Sequence, residues 1–332
     1  MISNWLVIDG CVFVEGDFKG CSPKVDASGV DALFLTLPKS DEGFAETVKA
    51  IGNIYNLADD KTKKIQVART LKDIEAGAKA NIRSIVLAFQ DPYPIGNSLD
   101  NLRALYELGV RVVQLTYNKA NYIGTGCTET IDRGLTDFGA RLIEEMNRLG
   151  IIIDLSHCSR LTALSAIEVS KKPVIFSHAC IRSLTESPRN RTDEEILKLA
   201  EKGGVIGLSP WGPLCWNKEK GTQPSMGDYL DHVDYAVKLV GIDHVGFGGD
   251  CTIDDGEDTS GTVEQATLYP TVVGEYNEKV GVHPSVRHAI GFKGAGEIGN
   301  VVEGMKKRGY KGEDIEKFLG WNFKRIMEKV WK

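Results

Sequence analysis

Long hydrophobic runs are missing from this 332-residue chain: none reaches the roughly 20 apolar residues that a membrane span requires. Neither sign of charge dominates. Its 40 Lys and Arg stand interspersed among 46 Asp and Glu, for a net charge of −6. That excludes the basic face of a nucleic-acid protein and the polybasic patch of a membrane-surface one. No internal repeat, low-complexity tract or linker is found. A glycine-rich phosphate loop is missing too, because Gly124-Thr-Gly126 lacks the third glycine and a helix directly behind it. Cysteine is scarce and unpaired in spacing: seven thiols, an odd number, with no Cys-x-x-Cys. The opening Met1-Ile-Ser-Asn-Trp-Leu-Val-Ile-Asp-Gly10 has no basic segment and carries Asp9 inside its apolar stretch. It reads as a first strand, not a signal peptide. Free thiols in a reducing cytoplasm are the expectation.

What the chain does have is short apolar runs at regular intervals. Strands are predicted at 6–11, 31–37, 84–89, 111–116, 151–155, 174–177, 205–209 and 244–248. Between them lie apolar residues at helical spacing over 99–108, 136–149, 161–169, 192–202 and 229–239, several ending in glycine where a C-cap belongs. Eight strands with crossover helices make a (β/α)8 TIM barrel the expected fold, α/β in class, with an open doubly wound sheet as the alternative. The expectation is one domain over 1–332, a long polar excursion at about 251–290, and C-terminal helices at about 295–331 with a break near Gly320.

Two of the runs end alike. Ile151-Ile-Ile-Asp-Leu-Ser-His157 and Val174-Ile-Phe-Ser-His178 both close on Ser-His, with the histidines 21 residues apart. That gap fits strand, helix and next strand, so both imidazoles should emerge at the same end of neighbouring parallel strands. Histidines so placed can share one metal ion or one substrate. Cys11, Cys158, Cys180 and Cys251 also fall at or just beyond strand ends, where the ordinary role is that of a small buried hydrophobe.

Thr136-Asp-Phe-Gly-Ala-Arg-Leu-Ile-Glu-Glu-Met-Asn-Arg-Leu-Gly150 leading into Ile151–His157 resembles the renal (membrane) dipeptidase family of zinc peptidases. So do Phe176-Ser-His178, Pro188-Arg-Asn190, Val245-Gly-Phe-Gly-Gly-Asp250 and, near the C-terminus, Leu319-Gly-Trp-Asn322. The resemblance runs through nearly the whole chain and implies a barrel of the metallo-dependent hydrolase (amidohydrolase) type. Gln114-Leu-Thr-Tyr-Asn118 with Asn121-Tyr-Ile-Gly-Thr-Gly-Cys127 is similar to a divergent branch of that family.

The departures carry the argument further than the match. Members that cleave dipeptides hold two zinc ions, and their first strand ends in a His-x-Asp pair; Cys11 and Phe13 stand there in this chain. The bridging glutamate is expected where Ala88-Phe-Gln90 is found, and Tyr117 replaces the substrate-facing histidine. Phe13 cannot ligate and neutral Gln90 cannot bridge two cations, so one of the two ion sites is dismantled. His157 and His178 remain for one divalent ion, zinc by preference, helped by the Gln90 carbonyl and a Cys11 thiolate. A site without metal is the alternative.

The resemblance assigns further roles. Asp250 matches the proton shuttle, against the plainer reading of a loop-capping aspartate. Arg189 matches the clamp on the substrate carboxylate, with Gln90 and Tyr117 also facing substrate; the plainer reading is a surface arginine, as expected of Arg191. Tyr117 can donate to a developing oxyanion, or simply pack. Cys127, in a glycine-lined loop over the mouth, can be a nucleophile or a gate, or neither. His232 and His244 read as structural; His283 and His288 follow the excursion, where they can border the pocket, and receive no role. Three functions stay open: a dipeptidase-like hydrolase with at most one metal, a metal-free isomerase, lyase or hydrolase, and a non-catalytic binder. The expected partner is a small molecule bearing a carboxylate, with no nucleic acid and no membrane; homo-oligomerisation stays open.

Overall fold

A computed structural model describes residues 5–14, 18–37, 42–254 and 263–332. Its strands are β1 (Ile8–Phe13), β2 (Ala32–Thr36), β3 (Ile65–Val67), β4 (Arg83–Phe89), β5 (Val110–Gln114), β6 (Ile152–Asp154), β7 (Ile175–Ala179), β8 (Val205–Leu208), β9 (Val245–Phe247) and β10 (Cys251–Thr252). They pair in parallel in the order β1, β2, β4, β5, β6, β7, β8, β9, and β10 returns to β1. The last barrel position is therefore one strand bent in two. Its first half pairs with β8; after Gly248-Gly249-Asp250 its second half pairs with β1 and closes the ring. This is the expected (β/α)8 barrel. The short β3 adds to it: it pairs with the first three residues of β4 while β5 takes the last three.

Both faces of the strands are covered, which is why their sequences are apolar throughout; all seven residues of β4 are buried. Alternate residues such as Ile8, Phe34, Val86, Val112 and Ile175 fill the barrel interior together with Phe323, while Leu33, Leu35, Leu87 and Val113 meet the surrounding helices. The Phe323 ring enters from below. It requires glycine above it: a Cβ at Gly10, Gly207 or Gly246 would stand 2.8, 3.2 or 3.0 Å from that ring.

Phe323 is delivered by the C-terminal segment, helices Ile298–Lys307, Gly312–Glu316 and Asn322–Val330, the last two joined by a wide five-residue turn, Lys317–Trp321. The break falls at Gly320 for a steric reason: a Cβ there would lie 2.1 Å from the Leu6 carbonyl oxygen. The crossover helix Asp137–Leu149 ends at Gly150 in the left-handed region, with its N–H on the Met146 carbonyl. Of the excursion after β9, residues 255–262 lie outside the described ones. From residue 263 onward the chain returns over the barrel mouth, where Tyr269 meets Tyr117 edge-on at 6.1 Å. No described helix is long and apolar enough to cross a membrane.

The glycines give a paired expectation. Gly52 lies inside helix Phe44–Asp59, and a Cβ added to it would meet nothing within 4 Å, so Gly52→Ala should stabilise by about 0.5–1 kcal/mol. Gly320→Ala should destabilise by about 1–3 kcal/mol through the clash with Leu6. Denaturant titration of both variants checks this, and equal effects of the same sign would contradict the packing described.

Candidate active site

The Ser-His dipeptide that ends two strands has a physical cause. Asp154, the last residue of β6, is buried, and its carboxylate accepts four hydrogen bonds. They come from the N–H and hydroxyl of Ser156, at 3.1 and 2.7 Å, and from those of Ser177, at 3.0 and 2.5 Å. Each serine is thereby fixed, and the residue after it is aimed at the barrel axis. The Nε2 atoms of His157 and His178 stand 3.0 Å apart.

Hydrogen bonding sets both tautomers. His157 Nδ1 lies 2.7 Å from the Asn118 amide oxygen, which can only accept, so Nδ1 carries the hydrogen. Ser177 Oγ spends its hydrogen on Asp154, so at 2.7 Å it accepts from His178 Nδ1. Both Nε2 atoms then present lone pairs to one point. A shared proton is disfavoured there, because burial, then the Arg189 charge, holds both imidazoles well below their ordinary pKa. Two converging imidazole lone pairs with their far nitrogens anchored are the donor arrangement of a metal centre.

Beside them lie groups from the ring's closing seam. Cys11 is buried; its N–H donates to Asp9 Oδ1 at 3.1 Å and its carbonyl accepts from Asp250 N–H at 2.8 Å. Cys11 Sγ is 3.8 Å from Asp250 Oδ1, and Cys11, His178 and Asp250 offer ligand atoms within 4.8 Å of one another. Gln90 turns its amide nitrogen to this cluster, 2.7 Å from Cys11 Sγ and 3.3 Å from His178 Nε2. Asp250 adopts φ 49°, a left-handed conformation uncommon for a residue with a side chain. Below, Asp9 also accepts from Gly249 N–H at 2.6 Å, and burial raises its carboxyl to about 7.

Arg189 is buried, not on the surface. It donates to the carbonyls of Ser156 and His178, the latter at 3.1 Å, and makes no ion pair with a described acid. These hydrogen bonds use two of its five N–H groups. Arg191 departs from expectation. It is 1% exposed, pairs with buried Glu195 at 3.1 Å, and also donates to the Cys158, Pro188 and Arg189 carbonyls. A charge paired four residues along the chain can be buried, and here it braces the loop that carries Arg189.

Tyr117 stacks on His157 with ring centroids 4.4 Å apart, and burial raises its pKa so that it keeps its O–H. Cys127 donates to Asn118 Oδ1 at 3.3 Å; burial raises its pKa, and its hydrogen goes to an amide instead of a base. The four strand-end cysteines are buried and all seven are free thiols. His232 accepts from Ile181 N–H at 3.1 Å, and His244 Nδ1 lies 2.8 Å from the Gly204 carbonyl oxygen; both serve the fold. His288 is different: it is buried and its Nε2 lies 3.1 Å from the Asp250 carbonyl oxygen, so it borders the site. Asn118, Asp154, Ser156 and Ser177 are the residues to which sequence reasoning gave no role. The serines left a signal in the Ser-His repeat, and Asp154 left one as the acid inside an apolar strand shortly before it.

Known proteins resemble this chain in sequence and in fold. The family model of the membrane dipeptidases, peptidase family M19, matches residues 22–290. Dipeptidase verJ of Clonostachys rogersoniana is 27% identical over 292 residues, 87% of this chain and 72% of the relative. The crystal structure of an amidohydrolase from Pseudomonas aeruginosa superposes with a TM-score of 0.86 at 29% identity, over 99% of this chain and 97% of that one. A metallo peptidase from Rhodobacter sphaeroides, solved with a phosphinate mimic of the dipeptide L-Ala-D-Ala, shares the fold at 19% identity and a TM-score of 0.79, covering 98% and 99% of the two chains. A family match that spans β2 to the mouth-covering segment, over a barrel with convergent strand-end histidines, settles the kinship: this chain belongs to the membrane dipeptidase family of hydrolases.

Proposed function

We propose that this chain hydrolyses a small amide or dipeptide-like substrate bearing a carboxylate, with at most one divalent ion in its site. The observation that carries the reading is the 3.0 Å approach of His157 Nε2 and His178 Nε2 beside Asp250. A divalent ion held by these histidines, zinc by the nature of the donors, would supply Lewis-acid polarisation and a water more acidic than bulk. The dipeptide mimic bound by the Rhodobacter peptidase supports a substrate of that size and charge.

The protein's own groups divide the remaining work. Arg189 holds the substrate carboxylate with N–H donors that its backbone contacts leave over. Asp250 accepts a proton from the attacking water and returns it to the leaving nitrogen. Tyr117 donates its O–H toward the oxygen on which charge develops, its ring held by the stack on His157. Gln90 lines the pocket through its amide. Cys127, hydrogen-bonded to Asn118, is left without a chemical step. Phe13 and Gln90 bring no carboxylate for a second ion, so simple dipeptides should turn over slowly. Two imidazole lone pairs left facing each other count against the metal-free reading, and a proton acceptor at a strand end counts against a mere binder.

Two substitutions test the division of labour. Asp250→Asn should lower turnover by about 10²–10⁴-fold while affinity changes far less; full turnover in that variant would remove Asp250 from the mechanism. Arg189→Lys should weaken binding of a carboxylate substrate by about 1–3 kcal/mol and leave uncharged analogues unaffected. An equal loss for both ligands would show that no clamp exists.

A further inference from the structure

We propose that Cys11 is a metal ligand: its thiolate joins the Nε2 atoms of His157 and His178 on a single divalent cation, with the fourth position left for water and the Asp250 carboxylate beside it. Gln90 then holds the sulfur without ligating. This rests on the single-ion reading above and specifies the third protein ligand of that ion.

Three observations carry it. The first is spacing. A tetrahedral centre with bonds of about 2.0–2.3 Å sets its ligand atoms about 3.3–3.7 Å apart. The two Nε2 atoms are 3.0 Å apart, and Cys11 Sγ is 3.8 Å from Asp250 Oδ1. Sulfur, carboxylate oxygen and a His178 nitrogen all lie within 4.8 Å of one another. His157 joins the group through its approach to His178.

The second is preorganisation. Cys11 and Asp250 lie 239 residues apart in the chain, yet the ring-closing seam fastens one to the other. Asp250 N–H donates to the Cys11 carbonyl at 2.8 Å, and β1 and β10 pair one residue further on, Val12 against Cys251. Asp9 accepts from the N–H groups of both Cys11 and Gly249, so the two strand ends share an anchor below the site.

The third is the chemistry of the donors. One thiolate on the ion and the Asp250 carboxylate beside it balance a divalent charge, which a buried site requires. Sulfur with imidazole selects zinc or cobalt over magnesium, calcium or manganese, which take oxygen. Gln90 presents amide nitrogen, whose lone pair is delocalised into the carbonyl, so at 2.7 Å it can only donate to the sulfur. As the ion–sulfur bond forms, the S–H proton leaves for solvent and the Gln90 N–H continues to donate to the thiolate.

Cobalt(II) added to the full-length metal-free protein reads the ligand set by absorption, independently of catalysis. Expected is one equivalent bound with a thiolate-to-cobalt charge-transfer band, lost in Cys11→Ser and retained in Cys127→Ser. Cobalt bound without that band, or a band that survives Cys11→Ser, overturns the Cys11 assignment while leaving the single-ion reading intact. No cobalt bound in the unaltered protein overturns both.

Discussion

The four hydrogen bonds accepted by Asp154 are what the site depends on. A buried carboxylate is tolerated only when its oxygens are satisfied, and here the satisfying donors are the two serines that precede the two histidines. The same contacts that neutralise a liability in the core therefore lock β6 to β7 and set both imidazoles. Ser156 and Ser177 pass the constraint on: Ser156 Oγ accepts from His178 N–H at 3.1 Å, and Ser177 Oγ receives its Nδ1 hydrogen at 2.7 Å. Removing Asp154 would leave buried hydroxyls without acceptors and the histidines without a fixed tautomer.

A second constraint acts at the opposite wall. Eight barrel positions close only because the last strand bends at Gly248-Gly249-Asp250. A Cβ at Gly248 would lie 2.0 Å from the Ser177 carbonyl oxygen, and one at Gly249 would lie 2.5 Å from Asp9 Oδ2. The bend delivers Asp250 in a left-handed conformation beside Cys11. Closure of the fold and assembly of the reactive wall are the same event. Arg189 completes the enclosure from a loop that its buried neighbour Arg191 holds through three backbone carbonyls.

Much of this was legible in the sequence because period and punctuation are local. Continuous apolar runs marked the eight barrel positions, glycine marked the end of helix Asp137–Leu149, and the Ser-His repeat marked the convergent pair. β3 escaped because three residues, Ile65–Val67, are too few for a pattern and owe their strand geometry to β4. Arg191 was misread as exposed because burial of a charge depends on a partner, Glu195, whose role appears only when the loop and helix are in place. Asn118 carries no local mark at all; it acquires its contact with His157 from chain 39 residues away. At positions 13 and 90 the sequence read alone suggested loss, while at position 11 it already offered a thiolate, and the structure sets that thiol beside His178 and Asp250.

The central proposal is that the converging strand ends hold a single ion and not two. Anomalous diffraction from crystals grown with zinc, recorded on either side of the zinc absorption edge, tests it most directly. The account predicts one anomalous peak per chain, within bonding reach of His157 Nε2, His178 Nε2 and Cys11 Sγ. Two neighbouring peaks, or none at these three atoms, would contradict it.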